Sequence, residues 1–154
     1  MRNNRYGNLG RSLATGDVNG DGFPDLAAGG EDLDIDTNYR SQGLVMLADM
    51  STLSPNPNAV EQFPEAWRIY GDYNYSDFAV SIDLDDVDGD NLADLLIGDF
   101  EGLFNDQAMG TIHIFNGSTI TNNWGVGYDA TGDPRDTILP NPNVNQNDDF
   151  GLSV

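Results

Sequence analysis

The sequence predicts an all-β fold built from a repeated unit of roughly 70 residues. One nine-residue loop occurs twice, as D-V-N-G-D-G-F-P-D at residues 17–25 and as D-V-D-G-D-N-L-A-D at residues 86–94. A similar short apolar run precedes both loops at the same distance and returns at residues 150–154, with successive copies starting 69 and 72 residues apart. A long period made of short apolar runs is typical of a propeller or a solenoid, in which one unit cannot bury its own faces.

Each unit contains four predicted strands. In the first unit they lie near residues 11–15, 26–29, 44–48 and 67–70. In the second unit they lie near residues 80–84, 95–97, 111–115 and 137–139. Two longer connections, 49–65 with its prolines and 116–135 with its Gly and Asn residues, are predicted to be irregular surface loops. No helical periodicity of useful length appears, and a short turn is expected at most near residues 59–63.

The repeat divides the chain into a first unit at residues 1–74, a second at 75–147 and the first strand of a third at 148–154. No signal-peptide core precedes the first unit, and no segment has the apolar length needed to span a bilayer. Two units and one strand cannot close a ring of four to eight blades. We therefore expect both ends to be cuts, with the structure completed by further blades or by head-to-tail self-association.

Both loops carry oxygen atoms in a pattern that suits Ca²⁺. Side chains at loop positions 1, 3, 5 and 9 offer oxygens, and the carbonyl of position 7 can turn inward, so the loop can surround a cation that takes six to eight oxygen ligands. Zinc would require Cys or His, and magnesium usually keeps several waters. The sequence therefore predicts two calcium sites.

The surrounding motifs extend the repeat beyond the loops. L-G-R-S-L at residues 9–13 and F-A-V-S-I at 78–82 precede the loops, whereas G-L-V-M-L at 43–47 and G-T-I-H-I-F at 110–115 follow them. This order resembles the FG-GAP repeat of integrin α-subunit β-propellers and their bacterial relatives. The resemblance implies a four-stranded blade per repeat, with the metal loop between its first two strands and usually seven blades around an axis. Leu9 in place of Phe and Ala79 in place of Gly depart from the pattern.

Carried over to this sequence, the resemblance implies two sets of calcium ligands, in which Phe23 and Leu92 contribute their backbone carbonyls. The first set is Asp17, Asn19, Asp21, Phe23 and Asp25. The second set is Asp86, Asp88, Asp90, Leu92 and Asp94. Asn91 replaces the loop glycine Gly22, and Asn tolerates a left-handed backbone better than most residues do.

Two other interpretations of the loops are weaker. An EF-hand or a dockerin-type loop needs a bidentate acid at position 12, where this chain has Ala28 and Ile97, and Pro24 interrupts the first loop without a flanking amphipathic helix. A solvated acidic turn explains one such loop, but not two copies in the same register of a repeat.

The composition limits which partners and which location are expected for the chain. The chain has 26 acidic and 6 basic residues, a formal charge of −20, which argues against nucleic acid or an anionic membrane as a partner. Two bound Ca²⁺ ions would bring this charge to about −16. Cysteine is absent, so no disulfide holds the fold and redox chemistry is not expected. Weak calcium modules operate at the millimolar calcium found outside cells, and we therefore expect an extracellular or cell-surface location.

No catalytic motif appears, and His113, the only histidine, is predicted to be a strand-face residue. Aromatic residues cluster between the two units and are expected either to pack between blades or to contact a ligand. They are Trp67, Tyr70, Tyr73, Tyr75 and Phe78. We predict a non-enzymatic calcium-binding segment for extracellular adhesion, assembly or ligand display, with a protein or glycan ligand and no membrane insertion. A lectin-like or polysaccharide-enzyme-associated domain is the alternative.

Overall fold

The computed structural model describes residues 8–31, 42–52, 65–71, 77–104, 107–122, 137–142 and 150–154. These residues form ten strands and two short helical segments. The strands are β1 (Ser12–Gly16), β2 (Asp25–Gly30), β3 (Leu44–Ala48), β4 (Glu65–Tyr70), β5 (Phe78–Asp85), β6 (Asp94–Asp99), β7 (Leu103–Phe104), β8 (Gln107–Ala108), β9 (Thr111–Phe115) and β10 (Thr137–Pro140). The helical segments are a 3₁₀ turn (Met50–Thr52) and α1 (Gly117–Asn122).

The strands form two four-stranded sheets in which every neighbouring pair is antiparallel. The first sheet has the order β1-β2-β3-β4, and the second has the order β5-β6-β9-β10. The eight predicted strands agree with these eight within two residues at each end. The all-β prediction of blade-like sheets is therefore confirmed, and the two sheets do not form a closed ring. The β7-β8 hairpin between β6 and β9 was not predicted.

The core lies between the two sheets, where β5 packs against β1 and β2. Alternate residues such as Val45 and Leu47 of β3 and Leu95 and Ile97 of β6 are buried in it, because side chains on a strand alternate between faces. Trp67 of the first sheet and Phe115 of the second meet edge to face with ring centroids 5.6 Å apart. Of the aromatic cluster, Trp67 and Phe78 are buried in this core and Tyr70 packs against it. Tyr73 and Tyr75 lie outside the described residues.

The short helix α1 corrects the prediction of an irregular loop after β9. Its six residues are too few to show a helical period in the sequence, and it forms because Ile120 is fully buried against the core. The amide of Ile120 donates a hydrogen bond of 3.0 Å to the carbonyl of Asn116. Within the described part of the chain, no helix has the length and apolar character that crossing a membrane requires. The turn expected near residues 59–63 lies outside the described residues.

The end of the chain differs from the strand predicted at residues 148–154. Phe150 and Gly151 form a turn, and residues 152–154 are not in a strand. In the first sheet the equivalent strand β1 is paired with β2, whereas no strand in the described part of the chain pairs with residues 152–154. The turn instead packs on the second sheet, where a Cβ atom added to Gly98 would lie 2.0 Å from the Gly151 carbonyl oxygen.

Candidate metal sites

Each predicted metal loop connects the first two strands of its sheet. Ladder pairing between β1 and β2 begins at Gly16 and Asp25, and pairing between β5 and β6 begins at Asp85 and Asp94. The intervening residues must therefore reverse the chain within one loop. This is the position that the resemblance implied.

The acid at loop position 1 holds the turn together. Asp17 Oδ1 accepts hydrogen bonds from the amides of Gly20 at 2.7 Å and Asp21 at 3.2 Å, and its Oδ2 accepts one from Gly22 at 2.9 Å. Asp86 makes the same three bonds in the second loop, at 2.7, 3.1 and 2.9 Å. The two loops thus share one local conformation, dictated by side-chain bonds to nearby backbone.

Loop positions 3 and 5 repeat this arrangement. Asn19 Oδ1 accepts from the Asp21 amide at 2.9 Å, and Asp21 Oδ1 accepts from the Phe23 amide at 2.8 Å. The equivalent acceptors in the second loop are Asp88 at 3.1 Å from the Asp90 amide and Asp90 at 2.8 Å from the Leu92 amide. These bonds fix the side chains of positions 3 and 5 against the loop backbone in both loops.

Two residues in each loop have a left-handed backbone. They are Gly20 and Gly22 in the first loop, and Gly89 and Asn91 in the second. Asn91 adopts a φ of 71°, close to the 85° of Gly22. The tolerance expected of Asn at this position is therefore confirmed.

The acid at loop position 9 is fully buried in both loops, unlike the others. Asp25 accepts hydrogen bonds from the amides of Val18 at 3.1 Å and Met50 at 3.4 Å. Burial raises the pKa of Asp25, and the two backbone hydrogen bonds offset part of that rise. Asp94 likewise accepts from Val87 at 2.9 Å and from Gly117 at 2.8 Å. Each buried acid therefore ties its loop to a helical segment that follows the third strand.

Three acids of the second loop converge. One carboxylate oxygen from each of Asp86, Asp88 and Asp94 lies within 4.8 Å of the other two. Calcium–oxygen distances of about 2.3–2.6 Å place ligands on opposite sides of the ion about 5 Å apart, so these oxygens fit around one Ca²⁺. Partial desolvation raises the pKa of Asp88, and the charges of Asp94, Asp90 and Asp86 raise it further. Such mutual repulsion is what a cation would relieve.

The remaining predicted ligands lie in the same loops but outside that group of three. Asp90 is the fourth acid of the second loop. In the first loop Asn19 occupies the position of Asp88, so an amide oxygen replaces a carboxylate there. Both donor sets consist of oxygen atoms alone, which suits a hard cation such as Ca²⁺.

Sequence reasoning missed two residues that support the second loop. Asn116 Nδ2 donates to Asp88 Oδ2 at 2.9 Å, and the Gly117 amide donates to Asp94 as described above. The signal that could have found them is an Asx-x-Ser sequence directly after the third strand of each unit. In the first unit it is residues 49–51, where Asp49 Oδ1 accepts from the Ser51 amide at 2.9 Å.

The first loop and its flanking strands agree with a known family. Residues 9–45 match the family model of the FG-GAP repeat. The match spans β1, the first loop, β2 and the start of β3, and it confirms the resemblance for this segment. A search of curated proteins finds no match. The FG-GAP match and the two sheets together support a β-propeller-type domain.

His113 lies away from the loops. It is buried in β9, with its Nε2 at 2.9 Å from Thr111 Oγ1 and 3.7 Å from Asp99 Oδ2. Its ring meets that of Phe78 edge to face at 5.4 Å. These contacts describe a histidine packed on a strand face.

Proposed function

We propose that this chain is a calcium-binding segment of a β-propeller-type domain and acts by binding, not by catalysis. The observation that carries the proposal is the convergence of Asp86, Asp88 and Asp94 within the span of one calcium coordination sphere. The duplication of the same loop conformation at residues 17–25 extends the proposal to a second ion.

The ligand sets follow the loops. In the second loop the Asp86, Asp88, Asp90 and Asp94 side chains and the Leu92 carbonyl hold the ion. In the first loop the Asp17, Asn19, Asp21 and Asp25 side chains and the Phe23 carbonyl do so. Bound Ca²⁺ would supply positive charge among these acids and fix the turn between the first two strands, so binding stabilises the folded state.

A calorimetric calcium titration tests this proposal. The wild-type protein is expected to bind two Ca²⁺ ions. Asp88→Ala removes one exposed ligand and is expected to weaken one site at least about tenfold, since several oxygens must act together. Glu101→Ala, an exposed acid outside both loops, is the matched control and is expected to leave both sites unchanged. Equal losses in the two variants would point to diffuse charge condensation and not to defined sites.

We further propose that the segment serves extracellular adhesion, assembly or ligand display, with a protein or glycan as ligand. The support is the all-oxygen loops suited to calcium-rich surroundings and a charge of −20, which disfavours polyanionic partners. A turnover assay on polysaccharides separates this role from that of a polysaccharide-enzyme-associated domain, and a glycan array shows whether the ligand is a glycan, as the lectin-like alternative requires. Polysaccharide cleavage in the assay would overturn the non-enzymatic role.

The outer faces of the two sheets support a proposal about assembly. Leu13 is 61 % exposed on the first sheet, whereas Ile82, its equivalent in the second unit, is only 7 % exposed between the sheets. Leu139 is 44 % exposed on the second sheet, whereas its first-unit equivalent Ile69 is 1 % exposed. We propose that both faces are covered by further blades of the same type, supplied by a longer polypeptide or by head-to-tail self-association.

Sedimentation analysis at increasing protein concentration tests the self-association arm. The mass is expected to rise with concentration, and Leu13→Glu is expected to reduce it because a charge would be buried at the contact. The control is Glu101→Gln, at an exposed residue outside β1. Thr15→Glu is unsuitable because Thr15 is exposed on the same face of β1 as Leu13. A constant monomer mass would leave only the longer polypeptide as the source of the covering blades.

A further inference from the structure

We infer that the two calcium sites are coupled, so that Ca²⁺ in one loop raises the affinity of the other loop for Ca²⁺. This inference rests on the proposed calcium function and adds the residues that would carry the coupling. Three contacts join the first loop to the second loop or to the helix α1 that supports it. Because of these contacts, a movement of one loop is transmitted to the other.

The first contact is between the loop backbones. The amide of Ala93 donates a hydrogen bond of 2.8 Å to the carbonyl of Asp17. Ala93 lies between two proposed ligands of the second site, Leu92 and Asp94, and Asp17 is the first ligand of the first site. Because Ala93 is buried, breaking this bond would leave a polar group without water, so the two loops are held in register.

The second contact runs through α1. At one end of the helix Asn116 and Gly117 bond to the acids Asp88 and Asp94. One turn further on, Thr121 Oγ1 donates to the Val18 carbonyl in the first loop at 3.0 Å, sharing its proton with the Gly117 carbonyl at 2.8 Å. The helix therefore links second-site ligands to first-site backbone.

The third contact is steric. The Leu92 side chain reaches Gly20 of the first loop, where an added Cβ would lie 2.9 Å from Leu92 Cδ2. It also reaches Gly117 of α1, where an added Cβ would lie 2.6 Å from Leu92 Cβ. The carbonyl of Leu92 is a proposed ligand, so a displacement of this residue at the second site would move atoms against the first loop.

These contacts predict positive coupling. Without calcium the carboxylates of each loop repel one another, which weakens the bonded loop conformation, and the first ion must restrict the motion of its own loop. Ordering one loop fixes Asp17, Ala93 and Leu92 together. Ordering the other loop around the second ion then costs less conformational entropy. Each ion also makes the electrostatic potential at the other site less negative, which opposes binding of the second ion. Water and salt weaken this repulsion because most of the loop acids are exposed. The gain from ordering is therefore expected to exceed the repulsion between the ions. Calcium in one loop is expected to raise the calcium affinity of the other about fivefold or more.

Calorimetric titration of site-knockout variants measures the coupling. Asp88→Ala, which disables the second site, is expected to lower the calcium affinity of the first site about fivefold or more. Asp21→Ala is expected to do the same to the second site, as linkage requires. Thr121→Val keeps the shape of the side chain but removes the hydroxyl, and is expected to shrink both effects. Thr121→Ser, which retains the hydroxyl, and Ser118→Ala, an exposed change on the same helix, are the controls.

A second readout does not depend on affinity. In the Asp21→Ala variant, calcium at the second site is expected to shift the amide resonance of Val18, and Thr121→Val is expected to reduce that shift. If the calcium affinity of each loop is the same whether or not the other loop holds calcium, the coupling is wrong and the calcium function stands. If neither loop binds calcium, both fall. Circular dichroism confirms that each variant is folded.

Discussion

The Ser12 hydroxyl donates a hydrogen bond of 2.9 Å to the backbone carbonyl of Ala79, 67 residues away. Ser81 repeats the contact in the second unit, at 3.3 Å from the Gly151 carbonyl. The repeated motif lies at residues 9–13, 78–82 and 150–154. Ser12 and Ser81 occupy its fourth position, and Ala79 and Gly151 occupy the second position of the following copy. The motif therefore acts between units, where the serine of one copy donates to the backbone at the start of the following copy.

Removing this serine is predicted to loosen the junction between units. Ser12→Ala leaves the part-buried Ala79 carbonyl without its partner and is expected to lower the free energy of unfolding by about 1 kcal/mol. Urea denaturation measures the change. Ser153→Ala, at an exposed serine of the same motif, is expected to change stability by less than about 0.5 kcal/mol. A similar loss in both variants would contradict the role assigned to Ser12.

Adding a methyl group at Gly29 is predicted to disturb the same junction by crowding. A Cβ at Gly29 would lie 2.2 Å from Ser12 Oγ and 3.0 Å from the Ala79 carbonyl oxygen. Gly29→Ala is expected to destabilise the fold by about 1–3 kcal/mol. Because Ser12→Ala removes the closest of these atoms, the double variant is expected to lose less than the sum of the single losses. Strict additivity in thermal or urea unfolding would rule out the crowding explanation.

Substituting the buried acid Asp94 is predicted to destabilise the metal-free protein more than substituting the exposed acid Asp90. Asp94→Asn replaces a buried acceptor of two backbone amides with a group that has only one acceptor oxygen. It is expected to destabilise the metal-free protein by about 1–3 kcal/mol. Asp90→Asn keeps an acceptor for the Leu92 amide and is exposed, so metal-free stability is expected to change little. Urea titrations in metal-free buffer compare them, and equal effects would argue against a structural role for Asp94.

The stabilisation that calcium provides is predicted to fall as the pH is lowered from about 7 to about 4. Burial raises the pKa of Asp25 in the folded state above the unfolded value of 3.8. In the metal-free protein, ionised Asp25 therefore lowers the free energy of unfolding. This loss of stability is fully present above the folded pKa and disappears as the pH falls toward 3.8. Calcium needs the ionised carboxylate, so acid opposes its binding.

Melting temperatures with saturating calcium and with metal-free protein measure this pH dependence. The calcium-induced rise in Tm is expected to shrink steadily on acidification. Asp25→Asn cannot titrate and is expected to flatten the dependence in part, with Asp88 and the other acids supplying the rest. A calcium-induced rise that stayed constant over this range would show that the buried acid does not take part in binding.

Features that depend on short-range chemistry could be predicted from the amino-acid sequence alone. The eight blade strands follow from short apolar runs, and the loops follow from side chains that bond to amides no more than five residues away within the turn. The left-handed backbone at Asn91 was likewise predictable from its match to Gly22. Such features repeat in both units because each depends only on residues within one loop or strand.

How the two units meet could be seen only in the folded structure. The six-residue helix α1 has no usable period of its own and is held by the burial of Ile120. The bonds from Thr121 to Val18 and from Ala93 to Asp17 join residues far apart in sequence, and Phe150 with Gly151 forms a turn where the motif predicted a strand. These contacts depend on which sheet faces pack together, because a hydrogen bond between distant residues forms only after burial has brought their backbones into range.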